Sequence, residues 1–248
     1  MPRMTRSRGV EHPLLGMPRR DAAVTMLIGL ATATLFLLMA FHGAMGSIQR
    51  IDDAFLRRMV AVRSTSLTTV AKVFNAVGLV YVTLPIRILI AGFLAWRRRW
   101  WHFAAFVSAI VLSEISIGLL KSLYARGRPP GSLVATSGHS FPSGHAVAAS
   151  VTAVAAVIAL LPEGARRYRW GAAAVAFSVL MGLSRAYLAA HWLSDAVAGV
   201  LLGTSWALTA ALVVHAIRSR RARGATAVAS VAPGSWNTSH AEVLDSQG

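Results

Sequence analysis

Three separate segments of this sequence carry polar residues of the types that bind and transfer phosphoryl groups. The first segment ends one apolar stretch, the second begins the next, and the third lies at the junction of two more. In chain order, their candidate site residues are Lys121, Arg128, Ser143, Gly144, His145, Arg185, His191 and Asp195. Cations, a helix start and two histidines together suggest anion binding combined with nucleophilic and acid–base chemistry.

The cations of this set suit a phosphate. Lys121, Arg128 and Arg185 would balance the charge that spreads over the phosphoryl oxygens during transfer. Arginine binds such oxygens in a bidentate fork, whereas lysine acts as a point charge. Ser143 and Gly144 follow a proline at the start of an apolar stretch, where the first N–H groups of a helix lack partners and attract anions. These five residues are therefore predicted to bind phosphate.

A histidine and a carboxylate stand four residues apart at the start of the last apolar stretch. His191 and Asp195 would share one face of a helix. A carboxylate one turn into an apolar helix is costly unless it is paired. A hydrogen bond between Asp195 and one ring nitrogen of His191 would meet that need and leave the other nitrogen as a nucleophile. A turn between Arg185 and His191 would let both side chains reach one site.

The elements that position these segments are predicted to be membrane helices. Of the 248 residues, 55% are apolar and 14% are charged, whereas roughly 25% of residues are charged in soluble domains. Six apolar stretches approach the roughly 20 residues that a bilayer requires. They are residues 23–41, 77–96, 103–124, 144–161, 171–188 and 192–217. The predicted fold is all-α, a helical bundle of six transmembrane helices.

The chain is predicted to have three parts. Residues 1–22 form a basic N-terminus, residues 23–217 form the six-span domain, and residues 218–248 form a tail that is first basic and then disordered beyond Arg223. Within the domain, the mixed segment 46–72 is predicted to lie at the membrane interface. The first span could instead be a secretory signal peptide, but its apolar run is longer than a typical signal core.

Basic residues indicate the orientation in the membrane. Fifteen of the 25 lysine and arginine residues lie before the first span or after the second, fourth and sixth spans, and nine lie at the opposite ends. Because cytoplasmic loops carry the excess of these residues, both termini are predicted to be cytoplasmic and the candidate site extracytoplasmic, in a cell membrane. The net charge of +16 is then explained by topology and anionic lipids, and nucleic acid is not expected as a partner.

The side-chain inventory disfavours two kinds of site. Cysteine is absent, which excludes disulfides, thiolate metal sites and cysteine nucleophiles. Of the nine acidic residues, only Asp52, Asp53 and Asp195 fall on or near the outward face. A two-metal phosphatase site would need several converging oxygen ligands. No metal or other cofactor is therefore predicted, with Asp52 and Asp53 as the remaining alternative ligands.

The three segments give this sequence a clear resemblance to the type 2 phosphatidic acid phosphatase superfamily, the lipid phosphate phosphatases. That family has the patterns K-x6-R-P, P-S-G-H and S-R-x5-H-x3-D. All three are complete here, as Lys121…Arg128-Pro129, Pro142-Ser143-Gly144-His145 and Ser184-Arg185…His191…Asp195. The motifs span residues 121–195, and the six-span layout extends the resemblance over most of the chain.

The resemblance implies a role for each motif residue. His191 would attack phosphorus and form a phosphohistidine, and Asp195 would orient and stabilise it. His145 would protonate the leaving group and then activate water. The phosphoryl oxygens would be held by Lys121, Arg128, Ser143, the Gly144 N–H and Arg185.

The implied function is that of a metal-independent membrane phosphatase acting on a phosphomonoester or pyrophosphate of a lipid. Phosphatidate, phosphatidylglycerol phosphate and polyprenyl pyrophosphate are all substrates of the family, and motifs that contact only the phosphoryl group do not choose among them. Two alternatives stay open: a lipid-phosphate binder or transporter without turnover, and a lipid phosphotransferase. Vanadium haloperoxidases are similar at the same motifs but are soluble, so the spans argue against them. The motifs do not indicate an oligomeric state.

Two further features inside the spans are predicted to be structural. Arg87 and Glu114 lie at similar depths in two antiparallel spans, so we expect an ion pair between them rather than a role in substrate selection. Gly199 and Gly203 stand four apart in the last span, a small-residue spacing that lets helices pack closely.

Overall fold

A computed structural model describes Leu14 and residues 18–231 of the chain. These residues form helices and no strand, which confirms the predicted all-α class. The eight helices are α1 (Pro18–Ala40), α2 (His42–Ala61), α3 (Thr65–Val77), α4 (Val80–Trp96), α5 (Trp100–Tyr124), α6 (Gly144–Leu160), α7 (Ala165–Tyr187) and α8 (Leu193–Val231). The described residues up to His215 form one compact unit, and the rest of α8, from Ala216, belongs to a second.

The number of membrane-spanning helices is only partly confirmed. Each of the six predicted stretches lies on a helix, but three helices of the described chain are long and apolar enough to cross a bilayer alone. They are Arg19–Ala40, Trp100–Tyr124 and Leu193–Gly224. A fourth span results if Thr65–Val77 and Val80–Trp96, which meet at a bend of 49°, cross together.

Helix length and charge account for this difference. Helices α4 and α6 have 17 residues each, which is about 25 Å at about 1.5 Å per residue. The hydrocarbon core of a bilayer is about 30 Å thick. Helix α7 has 23 residues, but four arginines make it less apolar than the other candidates. These arginines are Arg166, Arg167, Arg169 and Arg185.

The mixed segment 46–72 contributes to two helices. Helix α2 ends at Ala61, and Ser64 caps α3 by accepting a hydrogen bond from the Leu67 N–H at 3.3 Å. The arginines of α2 are exposed, whereas Asp52 on the same helix is only 1% exposed. Helix α2 therefore directs one carboxylate into the protein, and its location at the membrane interface stays a prediction.

Helix α6, which begins with the second motif, is built of small residues and is largely buried. Eleven of its 17 residues are buried, and α8 packs closely against it. A Cβ atom on Gly199 would lie 2.7 Å from the Ser143 carbonyl oxygen, and one on Gly203 would collide with the Ser150 side chain. The predicted packing role of these two glycines is confirmed.

The predicted ion pair between two spans is present. Arg87 on α4 donates from Nη1 to Oε1 of Glu114 on α5 at 2.7 Å, and from Nε to Oγ1 of Thr152 on α6 at 2.8 Å. The Arg87 side chain is 9% exposed and the Glu114 side chain 50% exposed. The arginine thus neutralises a carboxylate within apolar helices and links α4, α5 and α6.

The two ends of the chain are described only in part. Most of the predicted N-terminal part, residues 1–13 and 15–17, and the tail from residue 232 lie outside the described residues. Helix α8 continues to Val231, whereas the sequence predicts disorder beyond Arg223. Alternating alanines follow Arg223, and alanine has the highest helix propensity. The prediction of disorder considered only that the residues after Arg223 are small and polar, and therefore missed this part of the helix.

Candidate active site

The eight predicted site residues lie at helix ends that meet on one side of the bundle. Lys121 lies in the last turn of α5, Ser143 precedes α6, and Arg185 lies in the last turn of α7. The Ser143 N–H donates to the Asp195 carbonyl oxygen at 3.0 Å, which joins the start of α6 to that of α8. The charges of Arg128, Asp195 and Arg185 all act on Lys121. The structure therefore brings the three motif segments together.

A tight turn between α7 and α8 aims His191. Ala189 in this turn has φ of +53°, a left-handed conformation that is strained for a residue with a Cβ. The N–H groups of Ala190 and His191 both donate to the Arg185 carbonyl oxygen, at 3.0 and 3.3 Å. His191 is only 3% exposed. The turn thus fixes the backbone of His191 against the end of α7.

The two ring nitrogens of His191 have different partners. Nε2 lies 3.3 Å from Nη1 of Arg128, a group that can only donate. Nδ1 lies 3.4 Å from Oγ of Ser140 and 3.6 Å from Oδ2 of Asp195, and the Ser140 hydroxyl donates to that same Oδ2. The predicted direct hydrogen bond between His191 and Asp195 is therefore replaced by a bridge through Ser140. This pattern favours a proton on Nδ1 and a lone pair on Nε2.

The surroundings of His191 keep its ring neutral. Burial is the largest cause that lowers the pKa of His191, to about 4, and the charges of Arg185 and Arg128 lower it further. Asp195 acts in the opposite direction. A neutral imidazole whose Nε2 lone pair points toward cations is suited to attack an anion that those cations bind.

Besides its contacts with His191 and Ser140, Asp195 accepts hydrogen bonds from two further groups. Its Oδ1 accepts from Nη1 of Arg126 at 2.7 Å, and its Oδ2 accepts from the Trp192 N–H at 2.9 Å. Asp195 is fully buried, and Arg126 is 7% exposed. The carboxylate orientation is therefore fixed by the protein before any substrate contact.

Arg128 organises the loop between α5 and α6. Its guanidinium donates to the carbonyl oxygens of Ser137 at 2.7 Å, Gly138 at 3.0 Å and Ala190 at 2.6 Å. Gly138 has φ of +62°, a conformation that glycine adopts without strain. Burial lowers the pKa of Arg128 from its usual value, although arginine stays charged at neutral pH. Arg128 thus ties this loop to the turn that carries His191.

The other two cations are placed by neighbouring polar groups. Lys121 Nζ donates to the His139 carbonyl oxygen at 2.5 Å. Arg185 is 3% exposed, and its Nη1 donates to the side-chain oxygen of Asn75 on α3. Helix α3 therefore takes part in the site, although no motif residue lies on it.

The start of α6 presents several polar groups without protein partners. Ser143 is fully buried, and within the described residues neither its Oγ nor Nε2 of His145 has a hydrogen-bond partner. Gly78, at the end of α3, lies against the His145 ring, because a Cβ on Gly78 would be 2.5 Å from Cδ2. The charges of Arg185 and His191 both act on His145. This geometry would let His145 and His191 contact the same bound phosphate.

Comparison with known proteins identifies this arrangement. A model of the PAP2 superfamily matches residues 102–219, which contain all three motif segments. Over these residues the chain is similar to the PAP2 superfamily. Phosphatidylglycerophosphatase B of Bacillus subtilis (strain 168) is 29% identical to this chain over 173 residues, which are 68% of the chain and 85% of the relative. Lipid A 1-phosphatase of Rhizobium etli is 35% identical over 124 residues, 46% of the chain and 50% of the relative.

A solved structure has a fold similar to that of this chain. It is the crystal structure of the first transmembrane PAP2 type phosphatidylglycerolphosphate phosphatase from Bacillus subtilis. The two structures have a TM-score of 0.66 at 23% sequence identity, over 79% of this chain and 96% of that one. At this identity the likeness shows the fold.

Four side chains of this site were not among its eight predicted residues, although Asp52 was considered as an alternative metal ligand. They are Asp52, Asn75, Arg126 and Ser140. Arg126 and Ser140 lie in the loop between α5 and α6, two positions before the motif residues Arg128 and Pro142, and this closeness in sequence is the signal that could have found them. Asp52 and Asn75 lie on α2 and α3, far from the motifs in sequence, and no spacing pattern connects them to the site.

The predicted alternative metal ligands, Asp52 and Asp53, are hydrogen-bonded to other side chains. Asp52 binds Arg126, and Oδ1 of Asp53 accepts from Nε2 of Gln49 at 2.9 Å. Across residues 18–231, no three histidine, aspartate or glutamate side chains are grouped so that they could hold one metal ion. Metal independence itself stays a prediction that needs a chelation experiment.

Proposed function

We propose that this membrane lipid phosphatase of the PAP2 superfamily hydrolyses a phosphomonoester or pyrophosphate of a lipid through a phosphohistidine at His191, without a metal. The substrate is of the phosphatidate, phosphatidylglycerol phosphate or polyprenyl pyrophosphate type. The observation that carries the proposal is the orientation of His191: its Nε2 lone pair faces Arg128, while Nδ1 faces Ser140 and Asp195. The names of the two relatives support a phosphorylated lipid as substrate.

The chemistry proceeds in two displacements at phosphorus. Nε2 of His191 forms a bond to phosphorus while the bond to the leaving oxygen breaks, and His145 gives that oxygen a proton. His145, now neutral, takes a proton from water, whose oxygen attacks the phosphohistidine and releases inorganic phosphate. Lys121, Arg128 and Arg185 offset the negative charge of the phosphoryl oxygens in both steps.

An apolar cavity beside His145 supports a lipid substrate. It has a volume of about 200 Å³ and lies between α4, α6 and α7. Gly78 and Met181 line it and are in close contact with each other, and Gly78 also lies against His145. Thr152, which accepts from Arg87, lines it farther along α6. A hydrocarbon chain in this cavity would leave its phosphate next to His145 and His191.

The same proposal includes the arrangement in the membrane. We propose six spans with both termini cytoplasmic, the segment 46–72 at the interface and the site extracytoplasmic, based on the distribution of basic residues. Because the chain has no cysteine, single cysteines at Ser132 and Glu163 can report each side. An impermeant maleimide added to intact cells should label S132C and not E163C, and the reverse pattern would overturn this orientation.

The experiment that tests the activity is phosphate release by purified protein in detergent with EDTA, measured on several lipid phosphates. The wild type should release phosphate and His191→Ala should not, with a loss of about a thousandfold or more. His139→Ala is a matched control in the neighbouring loop, because only its backbone oxygen contacts Lys121 and Arg128. Its activity should be close to that of the wild type.

Other outcomes point to the alternatives. Binding of lipid phosphates by the wild type without release would favour a binder or transporter. A product that forms only with an added acceptor would favour a phosphotransferase. Loss of release in EDTA that Mg²⁺ restores would show that the metal-independent mechanism is wrong.

A further inference from the structure

A second carboxylate is buried behind Asp195, on a helix without any motif. Asp52 on α2 is 1% exposed. Its Oδ1 accepts from the Ser194 N–H at 2.9 Å, and its Oδ2 accepts from Oγ of Ser194 at 2.6 Å and from Nη2 of Arg126 at 2.7 Å. Asp52 is therefore bound to the residue next to Asp195 and to the arginine that Asp195 also uses.

One guanidinium is shared by these two carboxylates. Arg126 donates from Nη1 to Oδ1 of Asp195 and from Nη2 to Oδ2 of Asp52, both at 2.7 Å. Its Nη2 also donates to the side-chain oxygen of Gln49 at 2.7 Å, and its Cζ lies 5.4 Å from the centre of the Trp192 ring. The side chains of Arg126, Asp52 and Asp195 are 5%, 1% and 0% exposed, so water screens their charges weakly.

The charges of this cluster do not cancel while His191 is neutral. Two carboxylates and one guanidinium leave this cluster with one net negative charge in a buried region. The further cations on which Asp195 acts, Lys121 and Arg128, belong to the predicted phosphate-binding set. His191 becomes cationic when Nε2 is phosphorylated and Nδ1 keeps its proton. The ring is bridged to Asp195 through Ser140, so the cationic ring completes the charge balance.

We propose that Asp52 is a positioning residue that stabilises the cationic, phosphorylated form of His191 through Arg126 and Asp195. The proposal rests on the phosphohistidine of the proposed function. Without the charge of Asp52, Arg126 and Asp195 would balance each other in the resting enzyme. Phosphorylation of His191 would then place a positive charge on the ring with no unbalanced carboxylate on its Nδ1 side, while the phosphoryl oxygens are balanced by Lys121, Arg128 and Arg185 on the other side.

The other charged groups around His191 make this contribution necessary. Arg128 and Arg185 act on His191 from the loop after α5 and from α7, and both disfavour a positive charge on its ring. His145, at the start of α6, is in turn affected by the charge of His191. The negative group that opposes them is Asp195, which shares Arg126 with Asp52.

The test compares Asp52→Asn with Asp53→Asn. Both changes remove one negative charge from adjacent positions of α2, but in the described structure Asp53 contacts Gln49 rather than Arg126. D52N should lower kcat by roughly ten- to a hundredfold with KM changed by less than about threefold, as for other residues that orient a reactive histidine indirectly. D53N should leave both constants unchanged.

A double variant separates charge from packing. D52N combined with Arg126→Gln removes one charge of each sign and again leaves one net negative charge at Asp195. If charge balance is the cause, kcat of the double variant should recover toward the wild-type value. A double variant that is weaker than D52N would show that Asp52 acts only through packing and would overturn the proposal.

A substrate-free measurement separates this proposal from the proposed function. In ¹⁵N-histidine NMR of the resting protein, the His191 ring should be half protonated near pH 4 in the wild type and in D53N, and still neutral there in D52N. Unchanged titration in D52N overturns the proposal, whether or not the wild type releases phosphate. If D52N does not fold, the double variant decides: a wild-type titration of His191 supports the charge balance, and a clear decrease of its pKa contradicts it.

Discussion

The two sides of His191 differ in how completely their polar atoms are bonded. On the Nδ1 side, Asp195 and Asp52 use both carboxylate oxygens, and in this cluster Nε of Arg126 is the one buried side-chain atom without a partner in the described chain. On the Nε2 side, three buried atoms have no hydrogen-bond partner within the described residues. They are Oγ of Ser143, Nε2 of His145 and Nε of Arg185.

This difference indicates that the Nδ1 side of His191 holds the ring in place and that the Nε2 side binds the substrate. Buried polar groups of native proteins almost always have partners, so three unpartnered atoms on motif residues mark a region where polar ligand atoms fit. Phosphoryl and leaving-group oxygens accept hydrogen bonds from such donors. The bonded side holds the nucleophile rigidly, and the unbonded side is expected to account for substrate contacts and proton transfer.

Among changes on the Nε2 side of His191, the largest expected effect comes from removing the proposed proton donor. His145→Gln should lower kcat on a lipid phosphate by about 10²–10⁴-fold, the usual contribution of a general acid–base group. The loss should be much smaller on an aryl phosphate with a good leaving group, because such a group departs without a proton. Phosphate release from both substrates by the same preparation measures this difference.

An equal loss on both substrates would contradict the assignment of His145 as the acid. It would place His145 among the residues that bind the phosphoryl group. The thermal unfolding temperature of H145Q in detergent serves as the control for folding.

A smaller effect is expected from moving His145 without replacing it. Gly78→Ala places a Cβ 2.5 Å from Cδ2 of His145 and 3.1 Å from Met181, so the ring has to shift. Gly78 itself has φ of −79°, which alanine adopts readily, so the effect is steric. We expect kcat to decrease roughly ten- to a hundredfold, as for small misplacements of reacting groups.

Gly92→Ala on α4 is the matched control, because a Cβ there meets no atom within 4 Å. G92A should keep wild-type kinetics. Wild-type activity in G78A would show that the position of His145 is not critical, and the two sides of the site would then be less different than we infer.

The smallest expected effect is the response to mild acid. Since the pKa of His191 is lowered to about 4, the ring stays neutral well below the usual histidine range. The nucleophile is lost only as the pH falls through about 4, so its protonation should reduce kcat/KM by less than about twofold between pH 7 and 5. A pH profile of kcat/KM measures this, and an acidic limb near 6.5 would mean that water reaches His191.

The residues with fixed spacing were predictable, and those held by tertiary contacts were not. Lys121, Arg128 and Arg185 stand at helix ends that a hydrophobic pattern already locates, and the structure places them at one site. Asp52 reaches Ser194 across 142 positions of sequence. No local pattern encodes such a contact, because it depends on how α2 packs against the start of α8.

In the interior of the bundle, too, some contacts were predictable from the sequence and others depended on helix packing. Arg87 and Glu114 were paired from depth alone, since a regular helix rise makes depth a simple count of residues. The role of Thr152 as a third partner depends on the rotation of α6 and was not predictable. The six predicted spans are only partly confirmed for a related reason, because apolar composition predicts a helix better than it predicts the length of that helix.

The order of the site residues along the chain has a consequence for biosynthesis. Lys121, Arg128, His145 and Arg185 are all made before His191, which precedes α8 directly. A growing chain that ends after α7 therefore has the cations and the acid but no nucleophile. Under the proposed mechanism, activity begins only after His191 and α8 have been synthesised and α8 has packed against the earlier helices.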